Sequence, residues 1–312
     1  MDYIIMTPVR NEQQHLPVAA KSLLSQDLPP RLWLIVNDGS TDQTEKIIQE
    51  LGAHSWIVSR SLPPEPAYLG EHFAKIVRYG FTELQAEAET RGIDYELIGK
   101  IDADVSFDAS CFSSLVREFE KDESLGIASP RLGFSSDQSH MSDSLREWKP
   151  DLALSDHPTD GVRLYRRQCF EEIGGIQIAR APDTVAEVKA TIKGWKARRF
   201  DHIHASTSRK SHHSTSLWSR LVILGSAAWY LGYNPFLVLA RACFEVLFGR
   251  PRYRSLAYVY GYLKSALQRV PRIKDKEVLD HFGHRRLRNV VVQAPALFWR
   301  GITQQVKVSH EE

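Results

Sequence analysis

The chain has 312 residues, of which 43% are hydrophobic and 25% charged, with a formal net charge of +2. This composition is that of an ordinary globular protein, with no repeat and no low-complexity segment, long enough for one large domain with an extension or for two modest domains. The three widely spaced cysteines match no metal-ligand pattern, so we expect buried thiols in a reducing compartment. They are Cys111, Cys169 and Cys243. Residues 1–6 lack the basic region and the apolar length of a signal peptide, which indicates a cytoplasmic protein.

The charge is unevenly distributed along the chain. Residues 217–312 contain 15 Lys or Arg and 6 Asp or Glu, a charge of +9, so the first 216 residues carry −7. An acidic first part suits a cation site, and a basic second part suits an anionic surface.

Strand and helix patterns alternate over the first 101 residues. Predicted strands are Tyr3–Val9, Leu32–Val36, His54–Ser59 and Glu96–Ile101, and predicted helices are Leu16–Gln26, 43–51 and 71–91. This order predicts an α/β fold with a mostly parallel central sheet flanked by helices. Ligands of such sheets bind beyond the carboxyl ends of the strands. Three polar loops are expected at that edge, namely Pro8–Glu12, Asp38–Asp42 and Asp102–Asp104.

Two carboxylates, Asp102 and Asp104, follow the fourth predicted strand. In extended chain, positions i and i+2 point to the same side, so both groups can reach one hard cation that also binds phosphate oxygens. We therefore predict a metal-assisted reaction on a diphosphate substrate. The alternative is a pair of solvated loop carboxylates. Nearby Lys100 either offsets their charge and contacts phosphate, or is an ordinary surface lysine.

Two further features offer polar groups to a nucleotide. Asp38 can accept a hydrogen bond from a base N–H, although the surrounding 37–42 segment also reads as a turn followed by a helix cap. Lys75 and Arg78 continue a basic stripe that begins at His72, and we predict that they contact the diphosphate. A solvated helix face is the alternative for this stripe.

Three motifs in this order resemble family 2 glycosyltransferases, which have the A-type nucleotide-diphospho-sugar transferase fold. They are Thr7-Pro8-Val9-Arg10-Asn11-Glu12, Asn37-Asp38-Gly39-Ser40-Thr41-Asp42 and Asp102-Ala103-Asp104. The resemblance covers about residues 1–210 and implies that the nucleotide-sugar contacts Thr7, Pro8, Val9, Arg10, Glu12, Asp38, Asp102 and Ala103. It also implies that Asp102 and Asp104 hold Mg²⁺ or Mn²⁺ against the diphosphate. Many members have Asp where this chain has Asn37.

The resemblance also implies a catalytic base. In inverting members, a carboxylate preceding a helix deprotonates the acceptor hydroxyl, and Asp183 occupies that place, with Glu187 one turn later as the reserve candidate. Pro182 departs from the usual Glu or Trp. Asp183 can equally cap a helix over Thr184–Lys193, and both roles are compatible with an ionised carboxylate. A late histidine is often an extra metal or phosphate ligand in such enzymes, and His204 fits best, with a structural histidine as the alternative.

We divide the chain into a catalytic domain, 1–210, and a helical basic and aromatic extension, 211–312. Leu221–Ala240 is an uncharged stretch of 20 residues, interrupted by Gly225, Gly232, Asn234 and Pro235. Aromatic and basic residues around it are typical of helices at a lipid interface, so we predict attachment to a membrane surface. A packed helical subdomain and a true membrane span are the alternatives.

The sequence thus predicts a metal-dependent inverting glycosyltransferase. The expected partners are a nucleotide-diphospho-sugar donor and a glycan or lipid-linked acceptor at the inner face of the cell membrane, as in cell-surface glycan synthesis, and no nucleic acid. One alternative is a nucleotidyltransferase, although that class normally has a Gly-rich basic loop after the first strand. The other is a non-catalytic protein that binds sugar nucleotides or a membrane surface.

Overall fold

The computed structural model describes residues 1–65, 70–134, 157–208, 216–248 and 253–285. Of these, the residues up to 208 belong to one compact unit, and those from 216 onward belong to a second. The predicted domain boundary between residues 210 and 211 lies outside the described residues.

The first unit begins with the predicted alternation of strands and helices. The strands are β1 (Tyr3–Val9), β2 (Leu32–Asp38), β3 (Ile57–Leu62) and β4 (Leu97–Ile101), and the helices are α1 (Leu16–Leu24), α2 (Thr44–Leu51) and α3 (Glu71–Thr90). The four strands are parallel, with β1 between β2 and β4. β3 starts later than predicted, because the chain after α2 first makes a turn in which Ile57 N–H donates to the His54 carbonyl.

The rest of the unit extends the sheet with antiparallel and parallel pairs. Its elements are β5 (Val105–Phe107), α4 (Cys111–Lys121), β6 (Leu125–Phe134), β7 (Val162–Arg166), α5 (Arg167–Glu172), α6 (Pro182–Ile192) and β8 (Lys196–Thr207). The strand order is β3-β2-β1-β4-β7-β6-β8-β5. This architecture confirms the predicted fold class, a mixed but mostly parallel sheet flanked by helices. β8 extends beyond the predicted end at Phe200, so His202 and His204 lie within the strand.

Helices cover both faces of the sheet, which explains why the inner parallel strands β1, β2 and β4 are buried throughout and mostly apolar. Tyr3 and Ile5 of β1 pack into the cluster that includes residues of α1 and α4. Ile4 and Met6 point the other way, into the cluster that includes residues of α3 and α6. Successive side chains of a strand therefore point to opposite faces of the sheet and enter different helix layers.

The second unit is helical. It contains α7 (Leu217–Tyr230), α8 (Pro235–Phe248), α9 (Tyr253–Leu267) and α10 (Lys276–Asp280), followed by a π-helical turn, His281–Arg285. Gly232, with a φ of 80°, separates α7 from α8 and so divides the uncharged stretch into two short helices. Within the described part of the chain, no helix combines the length and apolar character that crossing a membrane requires.

We expect Gly99→Ala to destabilise the protein by about 1–3 kcal/mol. A Cβ at this position of β4 would overlap the Leu164 side chain and lie 2.7 Å from the Arg163 carbonyl oxygen, so β4 and β7 would have to separate. Gly133→Ala in β6 is the control, because its nearest neighbour would be 3.8 Å away. Urea unfolding of both variants measures the difference, and equal midpoints would contradict the expected crowding.

Candidate functional site

Hydrogen bonds join the loops that follow β1 and β2. Asn11 accepts from the Thr41 N–H at 2.8 Å and donates its own N–H to Ser40 Oγ at 3.0 Å. Gln13 N–H donates to Asp42 Oδ2 at 3.2 Å. Asn11 adopts the left-handed conformation (φ 57°), which asparagine tolerates better than most residues. The two loops therefore form one surface at the carboxyl ends of the strands, as predicted.

Asp38 lies at the end of β2 and is almost completely buried, with 1% of its surface exposed. Its carboxylate contacts Arg10 Nη1 at 3.3 Å and His72 Nε2 at 3.0 Å. Glu65 contributes to the same cluster through its carbonyl, 2.6 Å from Arg10 Nη2, and its carboxylate, 3.2 Å from His72 Nδ1. Arg10 and His72 thus surround the carboxylate that was predicted to meet a nucleobase.

The side chains of the first motif alternate between the two faces of the sheet. Pro8 shares its parity with Asp38 and Lys100, which places it on the α3 side of the sheet. Thr7 is buried on the opposite side and accepts a hydrogen bond from Trp33 Nε1 at 2.8 Å. Val9 lies in the same apolar cluster as Trp33. The prediction that the side chains of Thr7 and Val9 contact a nucleotide is therefore wrong.

The basic stripe of α3 meets the site through its first member. His72 contacts Asp38, whereas Lys75 and Arg78 are exposed one and two turns further along the helix. Arg78 lines a different cavity of about 310 Å³, together with Phe81 and Phe170. Sequence spacing identified the correct helix face but not the turn that reaches the strand ends.

Asp102 and Asp104 follow β4 directly, as predicted. Lys100 Nζ lies 2.5 Å from Asp102 Oδ1 and 5.4 Å from the centre of the Phe73 ring, and only 4% of the Lys100 side chain is exposed. Asp104 Oδ2 accepts a hydrogen bond from Thr207 of β8 at 3.2 Å. The buried position of Lys100 excludes the interpretation of an ordinary surface lysine.

Arg163 of β7 is the cross-strand neighbour of Lys100 and is also buried. Its guanidinium donates to the carbonyls of Thr159 and Pro158 at 3.0 and 3.1 Å, and to the Asp160 carboxylate at 3.0 Å. It also donates to the Asp183 carbonyl at 2.9 Å. Arg163 thereby fixes the start of α6 against the sheet.

Asp183 lies in the first turn of α6, because the helix starts at Pro182 and not at Thr184. The capping position is Ala181, without a side-chain hydrogen bond, so the interpretation of Asp183 as the helix cap is wrong. Glu187 is occupied by other partners. It contacts His157 Nδ1 and lies 3.8 Å from Arg163 Nη2.

The carboxylates of Asp102 and Asp183 interact electrostatically with the two buried cations, Lys100 and Arg163. Burial raises the pKa of Asp102 to about 6, although a third of its side chain is accessible, and Lys100 opposes this rise. Burial also raises the pKa of Asp183, and Arg163 and Lys100 oppose it. Burial alone would lower the pKa of Lys100, but the nearby Asp102 and Asp183 charges raise it. These interactions bring Asp183 and the aspartate pair into one site.

The structure does not bring His204 to this site. Its side chain is exposed, and strand alternation turns it away from the face of Thr207, whose hydroxyl meets Asp104. Among the side chains that the structure describes, no three histidine, cysteine or acidic groups gather in a way that could hold a metal ion. Asp102 and Asp104 are thus the candidate ligands.

Part of the chain matches a known protein family. Residues 4–65, which contain β1, β2 and both of their loops, match the family model "Glycosyl transferase family 2". This match identifies the first two strands and their loops as glycosyl transferase family 2 sequence. A search of curated protein sequences gives no significant match.

Solved structures share the fold of this transferase. S. aureus TarS 1-349 in complex with UDP-GlcNAc is 15% identical, with a TM-score of 0.55 over 96% of this chain and 89% of that chain. The mannosyltransferase PcManGT from Pyrobaculum calidifontis, in complex with GDP-Man and Mn²⁺, is 14% identical, with a TM-score of 0.52 over 85% and 73% of the two chains. At these identities, the likeness establishes the fold alone.

Asn37, where many family members have Asp, has a structural role in this transferase. Its Oδ1 accepts the Ser40 N–H at 3.0 Å, and its Nδ2 donates to Glu45 at 2.5 Å. An asparagine side chain that bonds to the backbone in this way stabilises a turn. Asn37 therefore holds the second loop in place beside Asp38.

We expect Asp38→Asn to destabilise the transferase by about 1.5–3 kcal/mol, because Arg10 and His72 would lose a buried charged partner. We also expect it to weaken binding of UDP and GDP. Thermal unfolding with and without each nucleotide measures both effects. Asp2→Asn is the control, since Asp2 pairs with Arg31 on the surface. Unchanged stability and nucleotide binding in Asp38→Asn would show that the cluster has neither role.

Proposed function

We propose that this nucleotide-sugar transferase is metal-dependent and inverting, and that it moves a sugar to an acceptor hydroxyl. The observation that supports this most is the position of Asp183, which shares one electrostatic cluster with Asp102 and Lys100. A general base must lie close to the donor's reacting carbon, and hence close to the group that binds the diphosphate.

The donor would occupy the surface formed by the first two loops. Pro8 and Asp38 lie on the α3 side of the sheet, as do Lys100 and the strand end that carries Asp102. A nucleoside at Asp38 and a diphosphate at Asp102 and Ala103 would then follow the carboxyl edge of neighbouring strands. Arg10 and Glu12 belong to the same edge. Solved structures of similar fold contain UDP-GlcNAc and GDP-Man, so these two compounds are the first donors to test.

The residues present fit a divalent cation. Asp102 and Asp104 supply two hard oxygen donors, and Mg²⁺ is commonly bound by one or two carboxylates together with substrate phosphates. A pair without a third protein ligand is therefore sufficient. When bound, Mg²⁺ or Mn²⁺ would neutralise charge on the leaving diphosphate. The PcManGT structure, which has a similar fold, contains Mn²⁺.

The residues of the chain would supply the remaining steps. The Asp183 carboxylate accepts the proton of the acceptor hydroxyl, whose oxygen attacks the anomeric carbon opposite the leaving diphosphate and inverts the configuration. Arg163 positions this base through the hydrogen bond to its carbonyl. Lys100 keeps Asp102 ionised and adds positive charge beneath the diphosphate. Glu187 is less suited to be the base, because His157 and Arg163 already contact it.

The acceptor would be a glycan or a lipid-linked hydroxyl compound at the inner face of the cell membrane. The +9 charge of residues 217–312 supports a location beside anionic lipid.

Replacing Asp183 with Asn should lower turnover about 100-fold or more, because the amide cannot accept the proton. Donor affinity should change little. Release of nucleoside diphosphate from UDP-GlcNAc, GDP-Man and related donors, with calorimetry of donor binding, measures both quantities. Glu187→Gln is the matched control and should retain most of the turnover. The assignment of the base would be reversed if Glu187→Gln were the inactive variant.

Binding of Mn²⁺ in the presence of UDP or GDP should weaken as the pH falls below about 6. The reason is that the raised pKa of Asp102 leaves it protonated in that range, and a metal ligand must be deprotonated. Below that pKa, the ionised fraction decreases roughly tenfold per pH unit. Titration calorimetry over this pH range tests the expectation. Affinity that is independent of pH, or unchanged in Asp102→Asn, would exclude Asp102 as a ligand.

A further inference from the structure

Helix α8 in the second unit has an outward face on which every exposed side chain that the structure describes is apolar. Phe236 is 72% exposed, and the other exposed residues follow it at helical spacing. These residues are Phe236, Leu239, Ala240, Cys243 and Val246, which we call the α8 face. Contiguous exposed apolar patches mark contact with another apolar phase or partner.

The inward side of α8 carries a charge. Among its described side chains, Arg241 is the charged group, and it is only 8% exposed, 5.1 Å from the centre of the Tyr258 ring. A helix on the surface of a soluble protein normally has the reverse arrangement, with apolar residues inside and charges outside. The described side chains of α8 are therefore arranged for an apolar exterior.

Helix α9 adds a second exposed apolar row. It consists of Leu256, Tyr260, Leu263 and Leu267, of which Leu267 is 83% exposed. The other side of α9 packs tightly on α7, since a Cβ at Gly261 would overlap the Val222 carbonyl oxygen. Ser265 Oγ donates to Ser226 Oγ at 2.9 Å across the same contact. This packing fixes the exposed row in place.

A basic segment follows this row directly. Its exposed cations are Arg269, Arg272, Lys274 and Lys276. Arg272 lies 3.9 Å above the Trp229 ring, and the Trp229 N–H donates to the Val270 carbonyl at 2.8 Å. Apolar rows bordered by cations and amphipathic aromatic rings are the surface that an anionic bilayer complements.

The charge of the basic segment and the length of α8 favour a bilayer surface as the partner of these apolar rows. A second copy of the chain has the same basic segment beside the same apolar rows, so pairing through these rows offers that segment no surface of opposite charge. A helix of 14 residues such as α8 is about 21 Å long, which is too short for a hydrocarbon core of about 30 Å. Contact with lipid is thus confined to one interface.

We propose that the α8 face and the exposed row of α9 insert into the interface of an anionic lipid bilayer, with the basic segment 269–276 against the headgroups. This deepens the membrane location included in the proposed function by naming the face and the lipid charge. It depends on the second unit and not on the transfer reaction.

Cys243 provides a native probe, because it lies exposed on the α8 face while Cys111 and Cys169 are buried. The experiment measures the rate at which a water-soluble maleimide modifies Cys243 in the full chain. The rate is taken without vesicles, with phosphatidylcholine vesicles, and with vesicles that also contain phosphatidylglycerol. We expect rapid modification of Cys243 without vesicles. Anionic vesicles should lower this rate about tenfold or more, and neutral vesicles should lower it less.

Two double variants make the test specific. Phe236→Ser with Leu239→Ser should abolish the protection of Cys243 by anionic vesicles. Val18→Ser with Ile178→Ser removes exposed apolar side chains from the first unit and should leave that protection unchanged. Rapid modification in the presence of anionic vesicles would overturn the proposal.

Slow modification without any vesicle would also overturn it. A rate that depends on protein concentration would then identify a second copy as the occupant, and a rate independent of concentration would identify another segment of the chain. Release of nucleoside diphosphate in the same preparations keeps the two proposals separate. Lipid protection without turnover would contradict the transferase mechanism alone, and turnover without protection would contradict the lipid face alone.

Discussion

The candidate site depends on two buried cations that lie side by side. Lys100 and Arg163 are cross-strand neighbours on β4 and β7, and both are almost inaccessible to solvent. Like charges opposite each other destabilise a sheet, and burying either one alone is costly. Carboxylates from three different segments compensate them, namely Asp102, Asp160 and Asp183. These acidic groups are therefore required by the sheet as well as by the proposed chemistry.

The same pairing explains how several acidic groups share a small volume. Without Lys100, Asp102 would be both poorly solvated and repelled by Asp104 and Asp183, and it would become neutral. Arg163 acts differently, since it also holds the backbone of Asp183 through a hydrogen bond to its carbonyl. Asp183 and the pair formed by Asp102 and Asp104 are thus tied to adjacent strands. A shift of β7 against β4 would disturb both at once.

The sequence was sufficient to predict the edge of the sheet at which the site lies, because polar loops after parallel strands meet there. The sequence did not predict as well which face of the sheet each side chain occupies. Thr7 and Val9 belong to the motif, yet their parity turns them into the core beside Trp33. His72 was recognised only as the start of a stripe, since spacing defines a helix face but not which turn meets Asp38. Arg163 had no distinguishing signal, because a single arginine in a strand pattern usually faces solvent.

The two units bury arginine in different ways, and the difference has consequences for their surfaces. In the first unit, Arg163 is neutralised by the Asp160 carboxylate and by carbonyls, so acidic chemistry accumulates around it. In the second unit, Arg241 points inward and lies 5.1 Å from the centre of the Tyr258 ring, a contact that stabilises a buried cation. The exposed side chains of α8 that the structure describes are all apolar. An apolar exterior is unfavourable in water and favourable in lipid, so the inward arginine is itself part of the argument for a bilayer interface.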